Sequence, residues 1–387
     1  MSSPLAEIDD LLAQLVVLRR ELHAHPELGR AEFRTAARVA DELRALGLLA
    51  FSGIGGTGVV AVLKCGGSAR RLGLRADMDA LPIVEATGLP YASRTPGVFH
   101  GCGHDGHMAM LLGAARHLAR TRRFDGTVVF IFQPAEEGMA GARAMIEDGL
   151  FERFPVDEVY ALHNWPDLAE GDIQTRPGPI MAAADRFDIE IVGRGGHAAQ
   201  PQGTPDAILA ASDLVGQLNA IVSRRISPMQ SAVLSVTRIA GGHTHNVLPA
   251  SVQVTGTVRT FDVGVQDRIE GALRAIAAGV ALASETRIDV AYDRYYPATL
   301  NDPACAGYAL AAARRAALRA AVASEPSFAS EDFAFMLQAK PGAYLWLGQG
   351  KDGAGAPLHH PAYDFNDDVI GRGIAFYTAL VEQRLSA

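Results

Sequence analysis

The sequence predicts an α/β protein. A mainly parallel sheet covered by helices on both faces carries a β-α-β-β-α-β domain inserted into its chain. Three observations predict this. Short, continuously apolar runs alternate with helical periodicity between residues 59 and 163, as buried parallel strands joined by helical crossovers do. Near Ile180 these runs give way to strict alternation, the pattern of half-exposed strands. A chain of 387 residues also exceeds one ordinary core and implies two domains.

Leu5, Ile8, Leu11, Leu12, Leu15, Val16, Leu18 and Leu22 recur at helical spacing and predict an opening amphipathic helix. A second helix is expected over 31–46, with Gly47 as its C-terminal cap. VVAVL (59–63) and RLGLRAD (71–77) read as strands and 109–118 as a helix. A strand over 127–133, a helix over 140–148 and a strand over 159–163 follow. In the inserted part, strands are expected at 186–193, 232–242, 251–261 and 287–293, with helices at 205–222 and 265–284. That order is the split βαβ arrangement. The expected domains are therefore 1–181 plus 297–387, and 182–296. Helices at 303–320 and 331–338, a strand at 344–348 and a helix from 367 complete the first. RPGPI (176–180) and YYPA (295–298) are candidate hinges.

Composition excludes several classes. The net charge of −8 and the lack of a Lys/Arg stripe disfavour nucleic acid and anionic membranes as partners. No apolar run approaches the roughly 20 residues of a membrane span, and the N-terminal stretch does not read as a signal peptide. Cys65, Cys102 and Cys305 are too few and too scattered for a disulfide framework. They suit a reducing compartment, so a cytoplasmic location is expected.

FHGCGHDGHM (99–108) is the most informative stretch. Cys102 and His104, separated by one glycine, can turn toward one point. A thiolate with an imidazole suits a borderline-soft divalent ion. Glu136 and Glu137 follow an apolar strand, and His163 ends another. Both therefore fall at the carboxyl ends of strands, where open parallel sheets bind ligands. Adjacent glutamates there point in different directions. One can bind metal while the other moves a proton, the division of labour of metal-assisted hydrolysis. His163, and His359 with His360, are weak signals taken alone.

RRELHAHPELG (19–29), LRADMDALPI (74–83), HGCGHDGHMAMLLGAA (100–115), FQPAEEG (132–138), LHNWP (162–166), GRGGHAAQP (193–201), HNVLPASVQVTGTVRT (245–260) and LHHPAYDFND (358–367) occur in that order. With these motifs, over nearly its whole length, the chain resembles the metal-dependent aminoacylase/carboxypeptidase superfamily. Within it, the chain is most similar to the amidohydrolase branch of hippurate hydrolases, auxin-amino-acid conjugate hydrolases and N-acetyldiaminopimelate deacetylases.

The resemblance implies a zinc-peptidase-like catalytic domain with a ferredoxin-like lid and dimerisation domain. It makes Cys102, His104, Glu137, His163 and His359 the ligands of two divalent ions (zinc, manganese, cobalt or nickel), with Cys102 bridging. His359 rather than His360 is the ligand, because the motif places it two residues before Pro361. Glu136 becomes the general base and later the acid. His197 becomes an oxyanion-stabilising group, in its own subunit or across a dimer interface. Asn246 and Arg259 are assigned to the substrate carboxylate, which the planar guanidinium suits. Distant relatives carry a ligand His where Asp77 stands. Asp77, Asp79 and Asp105 are therefore expected to orient imidazoles. His107 is expected to be structural, and His23 and His25 to pack and cap.

The function expected is that of a metal-dependent amidohydrolase cleaving N-acyl-amino acids, as a homodimer or homotetramer. The alternative within the superfamily is a dipeptidase or carboxypeptidase. A thiol hydrolase built on Cys102 and His104 leaves Glu137, His163 and His359 unexplained. A non-catalytic scaffold is disfavoured because no ligand or base is missing. A purely structural zinc site has no use for the spare carboxylate.

Overall fold

A computed structural model of the chain describes residues 8–350 and 355–386. These residues divide into two compact units: 1–180 with 299–325 and 332–387, and 181–298 with 326–331. The sequence reading placed 326–331 with the first domain. Here Ala182 N–H instead donates to the carbonyls of Ser327 and Ala329, tying that segment into the second unit.

The first unit is built on one eight-stranded sheet. Its strands are β1 (Leu49–Ile54), β2 (Gly58–Cys65), β3 (Arg71–Asp77), β4 (Gly126–Gln133), β5 (Glu158–Ala169) and β6 (Ile173–Thr175). The second unit supplies β7 (Ala183–Val192), β8 (Ala232–Ala240), β9 (Ser251–Thr260) and β10 (Arg287–Tyr296) to a separate sheet. The chain then returns to the first sheet with β11 (Ala320–Val322) and β12 (Gly342–Gly350). The spatial order in the large sheet is β1-β2-β4-β3-β5-β12-β6-β11.

The sheet is parallel at four of its seven pairings, β6/β11 among them, and antiparallel at three. Its centre, β4-β3-β5-β12, is parallel, but β1/β2, β2/β4 and β12/β6 are antiparallel. The cause at one flank is local. Gly55 and Gly56, at φ +64° and +111°, close a tight turn between β1 and β2. So short a connection can only join antiparallel neighbours.

The helices of the first unit are α1 (Asp9–Ala24), α2 (Phe33–Ala45) and α3 (His104–Thr121). Leu5, expected in the first helix, lies outside the described residues. Leu15, Leu18 and Leu22 of α1, most of α3, and Ile374, Phe376 and Leu380 form one core with Leu72, Leu74, Phe130 and Leu345 of the sheet. α3 is buried almost all round, as a helix at the centre of a large core must be. Its N-terminus thereby carries His104 and His107 into the interior. The helix expected at 303–320 ends at Arg315, since residues 320–322 leave to form β11.

In the second unit, α4 (Ala207–Arg225) and α5 (Val263–Ser284) follow β7 and β9. The element order is β-α-β-β-α-β, and the sheet order is β8-β9-β7-β10, all antiparallel. Leu214, Leu218, Ile269 and Leu273 pack on Phe187, Ile189, Val252 and Val254. Each helix starts at an aspartate whose carboxylate accepts backbone N–H groups: Asp206 from Ile208 and Leu209, Asp262 from Val265. Among the described residues, no helix is long and apolar enough to cross a membrane.

Candidate metal centre and active site

Gly103 opens the site. It sits at φ +90° as the N-cap of α3, and a Cβ there would lie 2.5 Å from Asn164 Oδ1 and 2.6 Å from the Tyr363 hydroxyl. Only glycine allows the chain to turn so close to those side chains. The turn brings Cys102 and His104 to one buried point at the ends of β3, β4 and β5.

Ligand atoms of Cys102, His104 and Glu137 all lie within 4.8 Å of one another. Cys102 Sγ is 3.4 Å from His163 Nε2, and His359 Nε2 is 3.3 Å from Glu137 Oε1. The structure thus gathers all five expected donors of the first unit. His104 Nε2 faces Glu137 Oε1 at 4.0 Å, and both atoms are buried without a hydrogen-bond partner. Such orphaned atoms are rare in native interiors and call for an explanation.

The charges point the same way. Burial, with Glu137, Glu136 and Asp77 nearby, pushes the Cys102 thiol well above its ordinary range. A thiolate here therefore needs a cation. Burial opposes protonation of His104, but Asp77, Asp79 and Glu137 lift it to about 10. Burial, then His107, holds His163 well below the ordinary histidine value, so it is neutral. Neutral imidazole, carboxylate and a potential thiolate around two orphaned atoms fit a borderline-soft divalent cation.

The imidazoles are held by tautomer-fixing contacts. His104 Nδ1–H donates to the Asp79 carbonyl at 2.8 Å, and His163 Nδ1–H to the Asn164 carbonyl at 2.7 Å. Each contact leaves Nε2 for the site. The Asp79 carboxylate also meets the His104 ring, with Oδ1 3.4 Å from His104 Nδ1. Its two oxygens accept the backbone N–H groups of Glu136 and Glu137, each at 3.0 Å. Asp79 therefore ties both glutamates to His104.

Glu136 and Glu137 diverge, though by a turn rather than by strand alternation. Ala135 at φ +53° and Gly138 at φ +80° bracket them. Glu137 faces His104 and His359, whereas Glu136 Oε1 lies 3.4 Å from the backbone N of Asp332.

Asp105 holds an imidazole, but not one of the gathered donors. It binds His23 Nδ1 at 2.8 Å and lies 3.4 Å from Arg19, away from the gathered donors. Its position one residue after His104 on α3 turns it toward α1. His23 is buried in that network, and His25 ends α1 with its ring on the Glu21 carbonyl. His107 is held by Asp77 and Asn164, each at 2.6 Å. His360 accepts the Ala362 N–H and stays exposed.

His197, Asn246 and Arg259 all belong to the second unit. His197 pairs with Val247 in a short two-stranded ribbon, and Ala198 N–H donates to the Asn246 carbonyl. Arg259 lies on the face of β9 opposite Val252, Val254 and Val258, the residues that pack against the helices.

Sequence reasoning missed a buried group behind the donors. Arg75 donates to Asp77 at 2.7 Å and Gln133 at 2.8 Å, and lies 3.3 Å from Asp332. Its only signal was a charged residue inside the apolar strand RLGLRAD.

Residues 73–383 match the profile of Peptidase family M20/M25/M40. The chain is 40% identical to a hippurate hydrolase of Campylobacter jejuni, over 97% of each chain. It is 42% identical to an N-acetyl-L-cysteine deacetylase of Bacillus subtilis, over 94% of this chain and 86% of that one. Among solved structures it is similar to a dinuclear metal binding peptidase from the M20 family of Bacillus subtilis. The TM-score is 0.86 at 34% identity, covering 97% of this chain and 99% of that one.

Proposed function

The chain belongs to Peptidase family M20/M25/M40, and from that membership we propose that it is a two-metal amidohydrolase cleaving N-acyl-amino acids to a carboxylic acid and an amino acid. The observation that carries the reading is the buried pair of atoms without a hydrogen bond, His104 Nε2 and Glu137 Oε1, beside Cys102. Cys102, His104, Glu137, His163 and His359 would hold the two ions. When bound, the ions polarise the amide carbonyl and acidify water. Glu136 takes a proton from the attacking water and delivers it to the leaving nitrogen. Asp79 holds Glu136 at its backbone, so the base enters the reaction already placed.

In this reading the second unit is a ferredoxin-like lid and dimerisation domain, and the first unit the catalytic domain. His197 stabilises the developing oxyanion. Asn246 and Arg259 hold the substrate's free carboxylate. The protein works in the cytoplasm as a homo-oligomer.

The test is a hydrolysis screen of N-acetyl, N-benzoyl and N-indoleacetyl amino acids with the metal-reconstituted protein. Chelation should abolish turnover and reconstitution restore it. Turnover that survives chelation would instead indicate thiol chemistry at Cys102. Cleavage of dipeptides alone would move the protein to the peptidase side of the family.

Two variants probe the assignments. Cys102→Ser should weaken metal binding, because a neutral hydroxyl replaces a thiolate, and calorimetric titration measures it. In the wild type, thiol reagents should label metal-free protein faster than loaded protein. Equal labelling rates would remove Cys102 from the ligand set. Arg259→Ala should cost roughly 1.5–3 kcal/mol, or about 10- to 150-fold in kcat/KM, for substrates with a free carboxylate. The matching carboxamides should be spared, and Lys should rescue poorly. Equal damage to acids and amides would place the carboxylate elsewhere.

A further inference from the structure

Glu32 is a buried carboxylate that the catalytic reading leaves unused. It immediately precedes α2 and is shut off from solvent. Among the described residues it forms no ion pair, although acidic side chains are seldom fully buried without one. Burial raises its carboxyl above the ordinary 4.5, against the pull of the Thr57 hydroxyl. The two oxygens have separate partners. Oε2 accepts the Thr57 hydroxyl, and Oε1 accepts the backbone N–H of Ala135 at 2.7 Å, 103 residues away. Ala135 is the left-handed residue, at φ +53°, that precedes Glu136. Asp79 accepts the next two N–H groups, those of Glu136 and Glu137. Three consecutive amides of the loop thus donate to two buried carboxylates. Gly29 closes on the same place: a Cβ there would lie 3.1 Å from Ala135 Cα.

We propose that Glu32 is a positioning residue for the catalytic loop: by holding the Ala135 N–H it keeps residue 135 left-handed and so sets the directions in which Glu136 and Glu137 leave the chain. The roles of those two glutamates rest on the amidohydrolase reading. A residue with a Cβ is unfavourable in the left-handed region and stays there only where its surroundings enforce it. On its carbonyl side Ala135 is held by the Gly141 N–H at 3.0 Å. On its amide side it is held by Glu32, because Asp79 grips the chain only from residue 136 onward. Relaxation of residue 135 rotates the chain before Glu136, so both carboxylates move together. A displacement of about 1 Å in a catalytic group is enough to cost on the order of 100-fold in rate. The clamp needs reach and an acceptor oxygen, not charge. Glutamine supplies both, whereas aspartate keeps the charge and is one methylene short.

Variants of the full-length protein test this with two readouts. One is turnover, at saturating metal, of the N-acyl-amino acid that the screen above selects. The other is cobalt(II) binding, followed by calorimetry and by the visible spectrum of the bound ion. Glu32→Met removes both acceptor oxygens at similar length. It should lose about 100-fold in kcat with KM little changed. It should also bind cobalt(II) about tenfold more weakly, because Glu137 shifts with the loop. Glu32→Asp should resemble it, and Glu32→Gln should recover most of both losses. Ala135→Gly added to Glu32→Met should restore about tenfold of kcat, since glycine takes φ > 0 without steric cost. Wild-type kcat and cobalt(II) binding in Glu32→Met overturn the proposal. Loss in Glu32→Gln as large as in Glu32→Asp also overturns it, since charge or packing would then be what matters. So does a double variant that recovers nothing. If Glu32→Met does not fold, the comparison of Gln with Asp decides. Wild-type protein that binds cobalt(II) but hydrolyses no N-acyl-amino acid overturns the amidohydrolase reading and leaves the cobalt(II) comparison to judge Glu32.

Discussion

Glu136→Gln should retain its metal and lose about 10²–10⁴-fold of turnover, the usual contribution of a general acid–base group. The amide keeps the shape of the carboxylate, and the main-chain contact of residue 136 with Asp79 does not involve the side chain. The change therefore removes a proton acceptor and little else. Glu137→Gln, one residue on, should behave differently. Glu137 faces His104 and His359, so its loss should appear first as weakened metal binding. Metal analysis alongside steady-state kinetics separates the two. Full metal content with an unimpaired rate in Glu136→Gln would end its role. Equal loss of metal in both variants would mean that the two carboxylates do not divide the work.

The divergence of the two glutamates was legible in the sequence, but its structural cause was not. FIFQPAEEG announces two carboxylates after a buried strand, and strand alternation was a sufficient reason to expect them to diverge. The structure separates them through left-handed Ala135 and Gly138, and through Asp79, which lies 57 and 58 residues earlier in the chain. Periodicity reports which face a residue shares with its near neighbours and is blind to such pairings. The same limit explains Arg75, whose contact with Asp332 spans 257 residues.

β3 appears in the structure over the expected residues 71–77, because a short apolar strand at the sheet centre has no other way to bury both faces. The flank was harder to read. β1 is largely exposed, so its composition lacks the apolar run that identifies a strand. The signal that was present, two glycines before Thr57, was one of turn chemistry. In the second unit, alternation persists through β7, β9 and β10, where one face packs on helices. The strand order there follows from the β-α-β-β-α-β sequence and right-handed crossovers.

Arg75→Leu should destabilise the first unit by ~3–5 kcal/mol, because breaking a buried ion pair leaves uncompensated charge behind. Arg75, Asp77, Gln133 and Asp332 are all essentially inaccessible to solvent. Asp77 and Asp332 would lose their guanidinium partner, while Gln133 and the Ala142 N–H remain on Asp332. Arg75→Lys should fall between the two, since a point charge reaches one partner where the fork reaches three. Adding Asp332→Asn to Arg75→Leu should recover part of the loss by neutralising one stranded carboxylate.

The pH dependence has a definite sign. Burial works against ionisation of Asp77, but Arg75, then His104 and His107, holds its carboxyl well below the ordinary 3.8. In the wild type that group contributes stability above the unfolded value, which is lost as the pH falls through the depressed folded value. In Arg75→Leu burial is opposed only by the histidines, so the folded value rises. The gap between wild type and variant should therefore be widest near neutrality and narrow as the pH falls toward and below 3.8. Urea unfolding at several pH values measures it. A gap that stayed constant with pH would show that Arg75 acts through packing on Phe333, 5.7 Å from its guanidinium, rather than through charge.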